Sequence, residues 1–124
     1  MKIMIADYME NGFLENIIAL FKQDKNMFPV LGHLISDERG RVRVGAVALV
    51  ETLKEKYLEE IITAIPEIAK GLESPNPTIR ADAAYLLGII GHRNALPYLS
   101  TALTDENPLI KETVEETIAG LLKT

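Results

Sequence analysis

An all-α solenoid is the fold class this sequence predicts, on three observations. Three segments of the chain align with one another without gaps. In each, apolar residues recur at the spacing of an α-helix. No stretch shows the two-residue alternation of a strand. The segments are FPVLGHLISDERGRVRVGAVALVETL from Phe28, IPEIAKGLESPNPTIRADAAYLLGII from Ile65 and LPYLSTALTDENPLIKETVEETIAGL from Leu96. Proline recurs at 29, 66 and 97, and a basic residue at 43, 80 and 111. Aspartate stands at 37 and 105, with Ser74 between them. The segment starts lie 37 and then 31 residues apart, which places the extra length near KEKYLEE in the first connection.

Ahead of the first unit, GFLENIIALFKQDKN carries apolar residues at 13, 14, 17, 18, 20 and 21. This is one amphipathic helix, expected to cover the N-terminal side of the stack, where an uncovered repeat exposes apolar surface. Each unit then contributes two helices. In the first helix the apolar positions are 28, 31, 34 and 35, repeated at 65, 68, 69 and 72 and at 96, 99, 102 and 103. In the second they are 42, 46, 49, 50 and 53, then 79, 83, 86, 87 and 90. The third unit has Ile110, Val114, Thr117, Ile118 and Leu121 in those places. The connecting turns, SDERGRV, ESPNPTI and TDENPLI, are built from residues that favour turns and helix starts. Pro77 and Pro108 suit the first turn of a second helix, where the missing N–H has no partner to lose. The expected organisation is one domain over residues 1–124: a cap over about 1–26 and repeats over about 27–63, 64–94 and 95–124.

The bulk properties agree with a packed domain. The 124 residues are 48% hydrophobic, with a net charge of −5 and a pI near 5.0. Such a balance disfavours a partner recognised through its phosphate backbone. The chain has no cysteine, which excludes disulfides and thiolate metal sites. MKIMIADYMENG carries Asp7 and Glu10 and does not read as a signal peptide. The longest apolar run, counting glycine but not tyrosine, is Val44 to Val50, far short of the ~20 residues that span a bilayer. The expectation is a soluble cytoplasmic protein with no membrane partner.

Candidate chemistry is sparse. His33 lies beside Leu31 and Leu34, and His92 follows Gly91 in a loop; neither has the spacing of a metal-ligand pair. Glu51, Glu55, Glu59 and Glu60, with Glu112, Glu115 and Glu116, form helical faces that read as solvated. General acid–base work would need a desolvated carboxylate. GIIG at 88–91 is too sparse to cradle a phosphate, and Ser36, Ser74 and Ser100 sit where capping or local hydrogen bonding accounts for them. No catalytic, metal or cofactor residue is therefore expected.

The order of proline, aspartate eight residues later and arginine or lysine six after that resembles the HEAT repeat. ENPLIK together with ADAAYLLGIIGHRNALPYL is similar to the short HEAT-like variety named for phycobilisome lyases, and the resemblance covers about Met27 to Leu122. It implies a right-handed α-α superhelix. It also implies a polar ladder in which Asp37 and Asp105 face Arg43 and Lys111, with Arg80 turning to Asp37 or Asn76 because Ser74 replaces the aspartate. The recurrent proline would bend the first helix of each unit. Some HEAT-repeat hydroxylases hold iron with His-Glu pairs; here His33 precedes Leu34 and His92 precedes Arg93, so that role does not carry over.

A partner surface follows from helical geometry. With 42, 46, 49, 50 and 53 buried, about 100° per residue puts 44, 48, 51 and 55 on the opposite side, the concave face of a solenoid. The equivalents are Ala81, Tyr85, Gly88 and His92, then Glu112, Glu116, Ala119 and Lys123. Val44, Ala48, Ala81, Tyr85 and Gly88 make a small apolar floor and Glu51, Glu112 and Glu116 an acidic rim. In the third unit Glu115 replaces Val47 and Ala84, which fits a polar cap with the array ending at Thr124; an exposed strip of Ile110, Ile118, Leu121 and Leu122 would instead make a dimer surface. The function expected is a non-enzymatic scaffold or adaptor, a monomer or weak homodimer, holding a protein partner on this face. The alternative, implied by the family resemblance, is an accessory or lyase-like protein for attaching a chromophore to another protein. Nucleic-acid binding would need a basic groove and aromatic platforms; the rim is acidic and tryptophan is absent.

Overall fold

The computed structural model describes residues 2–123, so the expected end of the array at Thr124 lies outside them. Helices account for nearly all of these residues, and no strand occurs among them. In chain order they are α1 (Lys2–Glu10), α2 (Leu14–Gln23), α3 (Leu31–Ile35), α4 (Gly40–Thr63), α5 (Ile65–Ala69), α6 (Pro77–Ile90), α7 (Leu96–Ala102) and α8 (Pro108–Leu122). Short 3₁₀ turns lead into α3 (Lys25–Val30) and α7 (Arg93–Ala95), and another extends α5 (Lys70–Glu73).

The second helices α4, α6 and α8 form one layer, with α6 between the other two. The first helices α3, α5 and α7 form the other, with α5 between α3 and α7. Each helix packs on its own partner and on its sequence neighbours, the one-dimensional arrangement of a solenoid. The periodic stripes are what lies between the layers. All five positions read as buried in the second helix of units one and two are buried, as are all four in the first helix of each. In unit three Leu99, Ile110, Val114 and Leu121 are buried, while Leu96, Ala102, Leu103, Thr117 and Ile118 are half-buried, because no further repeat covers them among the described residues.

Local chemistry sets the helix starts. The Asn76 and Asn107 side chains accept from the N–H groups of Thr78 and Leu109, each at 2.9 Å, and Pro77 and Pro108 open α6 and α8. Unit one lacks the Asn-Pro pair. There the Asp37 carboxylate accepts from the Arg39 N–H at 2.9 Å. Gly91, at φ +70, stops α6.

Four sequence expectations need correction. The cap is a pair of helices rather than one: α1 precedes α2, and both lie on α4. The recurrent proline does not bend a helix. Pro66 and Pro97 occupy the first turns of α5 and α7, where no interior hydrogen bond is lost, and Pro29 lies inside the short 3₁₀ turn that leads into α3. The extra residues near KEKYLEE lengthen α4 rather than forming a separate connection. The helix breaks at Tyr57 (φ −124, ψ 30), whose ring stacks on Phe28 at 5.9 Å, and Phe28 meets Phe21 edge-on at 5.2 Å.

The fourth correction concerns the polar ladder, which runs between units rather than within them. Arg43 donates to the carboxylate of Asp82 in the next unit at 2.7 Å, and Arg80 to that of Asp105 at 2.8 Å. Each guanidinium also donates back to its own turn: Arg43 to the carbonyls of Asp37 and Glu38, Arg80 to those of Ser74 and Pro75. The Asp37 carboxylate pairs with Arg39 instead, and Arg80 turns forward rather than to Asp37 or Asn76.

Candidate partner-binding face

With one side of α4, α6 and α8 committed to the first-helix layer, the other side remains open. Val44 is 70% exposed and Tyr85 53%. Ala48 and Ala81 are half-buried between them, and Gly88 is exposed beyond. Glu51 and Glu55 on α4 and Glu112 and Glu116 on α8 are exposed. Sequence reasoning missed Leu109, 73% exposed one turn before Glu112. It occupies the α8 position equivalent to Arg41 and Thr78, both exposed, and that comparison was the available signal.

The open layer is held in register by contacts that cross it. Lys54 donates from α4 to the Ile89 carbonyl of α6 at 3.0 Å, and the Asn76 amide donates to Glu38 at 3.1 Å. A methyl group at Gly88 would lie 3.2 Å from Thr117 of α8, so a small residue there lets the two helices approach. The ladder of Arg43–Asp82 and Arg80–Asp105 adds charged cross-links. A face so tied presents its apolar side chains at fixed separations, which limits the entropy lost on binding.

Two clefts adjoin these layers. One, of about 410 Å³, lies in the first-helix layer between Ala69 and Leu72 on one side and Tyr98 and Ala102 on the other. The second, of about 380 Å³, lies between the α1–α2 turn and α4 and is walled by Met9, Leu14, Val44 and Ala48. It shares Val44 and Ala48 with the open face. Sequence reasoning could not find it, because α1 was not foreseen as a helix.

The titratable groups have structural duties. The Arg39 guanidinium beside Asp37 holds that carboxyl below its ordinary value, against the opposing effect of partial burial. Arg39 also reaches Asp7 of α1 at 2.8 Å, and the two carboxylates push its own pKa up. His92 accepts from the Asn94 N–H through Nδ1 at 3.1 Å, a capping contact, and His33 is exposed on α3. Among the described residues no group of three His, Asp or Glu side chains converges as a metal site, and no helix is long and apolar enough to cross a membrane. The arrangement offers a surface for contact, with apolar contact area and a carboxylate border.

The family model described as HEAT repeats matches residues 28–119. No curated protein matches the chain at a significant level.

Proposed function

Because this chain belongs to the HEAT-repeat family, we propose that it is a non-enzymatic interaction module that holds a protein partner on the open side of α4, α6 and α8. The observation that carries this reading is the exposure of Val44, Tyr85 and Leu109, one on each successive helix of a single layer. Exposed apolar side chains aligned on a rigid layer favour a contact surface, and tyrosine is enriched among the residues that dominate binding energy. The 31-residue offset between units two and three further supports the short HEAT-like repeat type. The border of Glu51, Glu55, Glu112 and Glu116 favours a partner with basic groups and disfavours a phosphate backbone.

Surface plasmon resonance against the captured partner tests the assignment. Tyr85→Ala should weaken binding by about 2 kcal/mol, some thirtyfold. Glu112→Lys should slow association and flatten its salt dependence. Unchanged affinity in both variants would remove the face from consideration.

A further inference from the structure

Beside this face a carboxylate oxygen is buried with nothing bonded to it. Glu10 closes α1, and its Oε2 is sealed from solvent with no hydrogen-bond donor in reach among the described residues. The residue forms part of the wall of the 380 Å³ cleft between the α1–α2 turn and α4. Gly45 allows that approach, since a methyl group there would collide with the Met9 side chain. Arg41 also borders the cleft, but its Nη1 is directed at the Glu10 main-chain carbonyl, 3.5 Å away, and no ion pair joins it to the carboxylate. A carboxylate oxygen withdrawn from water without a donor is costly, and a cation that arrives with its own donors offsets that cost.

We propose that the cleft takes a lysine or arginine side chain of the protein partner. Its aliphatic stem lies on Met9, Leu14, Val44 and Ala48, and its charged head meets the Glu10 carboxylate, which turns from its sealed position toward the cleft to receive it. Long basic side chains fit a site with apolar walls and one acidic end, because stem and head are then each matched. Glu51 lies on the same side of α4 as Val44 and Ala48, one turn further on, and the chain carries a net charge of −5; both attract such a residue over longer range. The inference rests on the partner-face reading, with the cleft forming its N-terminal end through Val44 and Ala48.

Titration of the ¹⁵N-labelled chain with N-acetylarginine amide tests it, alongside the citrulline and norleucine amides of similar length. The arginine compound should shift the amides of Gly12, Val44, Gly45 and Ala48. The neutral compounds should bind about tenfold more weakly or not at all, and Glu10→Gln should erase the difference. Equal shifts from all three compounds, or arginine shifts that miss the cleft, overturn the proposal on the unmodified protein. Partner binding separates the two readings. Loss with Tyr85→Ala but not with Glu10→Gln overturns the cleft and leaves the face standing. A Glu10-dependent arginine site with no effect of Tyr85→Ala on the partner does the reverse.

Discussion

Asp105 performs two tasks with one carboxylate. Its Oδ1 accepts from the Asn107 N–H at 2.9 Å, shaping the turn into α8, and its Oδ2 receives the Arg80 guanidinium at 2.8 Å. Its side chain is 8% exposed and that of Arg80 20%, so the pair is largely withdrawn from water. Asp105→Asn keeps an acceptor for the turn but sets an amide N–H₂ against a guanidinium that also donates. The expected loss is about 2–4 kcal/mol, read from urea midpoints, because a charge left unpaired in partial burial is penalised. Lys25→Ala breaks the exposed Lys25–Glu60 contact and should stay within about 0.5 kcal/mol. Arg39 makes a pH-dependent claim. It lowers the folded-state pKa of Asp37, so the contribution is fully present above the ordinary value of 3.8 and is lost as the pH falls through the lowered one. Arg39→Ala should therefore differ most from the parent protein above the ordinary value of 3.8, and the two denaturation curves should converge as the pH falls through the lowered one. A constant gap across that range would assign the effect of Arg39 to packing instead.

Among elements, α3 meets α5 directly against its backbone. A methyl group at Gly32 would sit 2.6 Å from the Glu67 backbone carbon and 2.7 Å from its oxygen, so a backbone must move to admit it. Gly32→Ala should cost about 2 kcal/mol or more in thermal or urea unfolding, despite the better helix propensity of alanine. A neutral or stabilising result would mean that the first-helix layer is looser than drawn. This contact was not legible in the sequence, where glycine in FPVLGHLIS reads as a weak helix former and nothing names its neighbour. The buried stripes of α4 and α6 were legible, because each position's burial is set by its own helix turning against one partner layer. The Asn-Pro starts of α6 and α8 were legible for the same local reason. The ladder was not: the acid for Arg80 lies 25 residues ahead, and its choice over Asp37 depends on how units two and three stack. Nor was α1, since Ile3, Met4 and Ile5 fall together without helical periodicity and its packing is decided by Met9 meeting Gly45.

At the scale of the molecule, the two layers divide the surface into a stacked side and an open side. The residues proposed for the partner, Val44, Ala48, Glu51, Ala81, Tyr85, Glu112 and Glu116, all belong to the second-helix layer; Ala48 and Ala81 are half-buried and the others exposed. At the far end, Ile110 and Leu121 are buried, Ile118 is half-buried and only Leu122 of the suggested strip is widely exposed, while Glu115 faces water. That end therefore offers little apolar area for self-association, and sedimentation should return a monomer at micromolar concentration. On the proposed reading, a protein partner meets the α4–α6–α8 side. A photo-crosslinking phenylalanine analogue placed at Tyr85, and separately at Tyr98 in the first-helix layer, tests it in the cell. Position 85 should give a covalent adduct of one partner and position 98 none; adducts from 98 alone, or equally from both, would contradict a partner on this side.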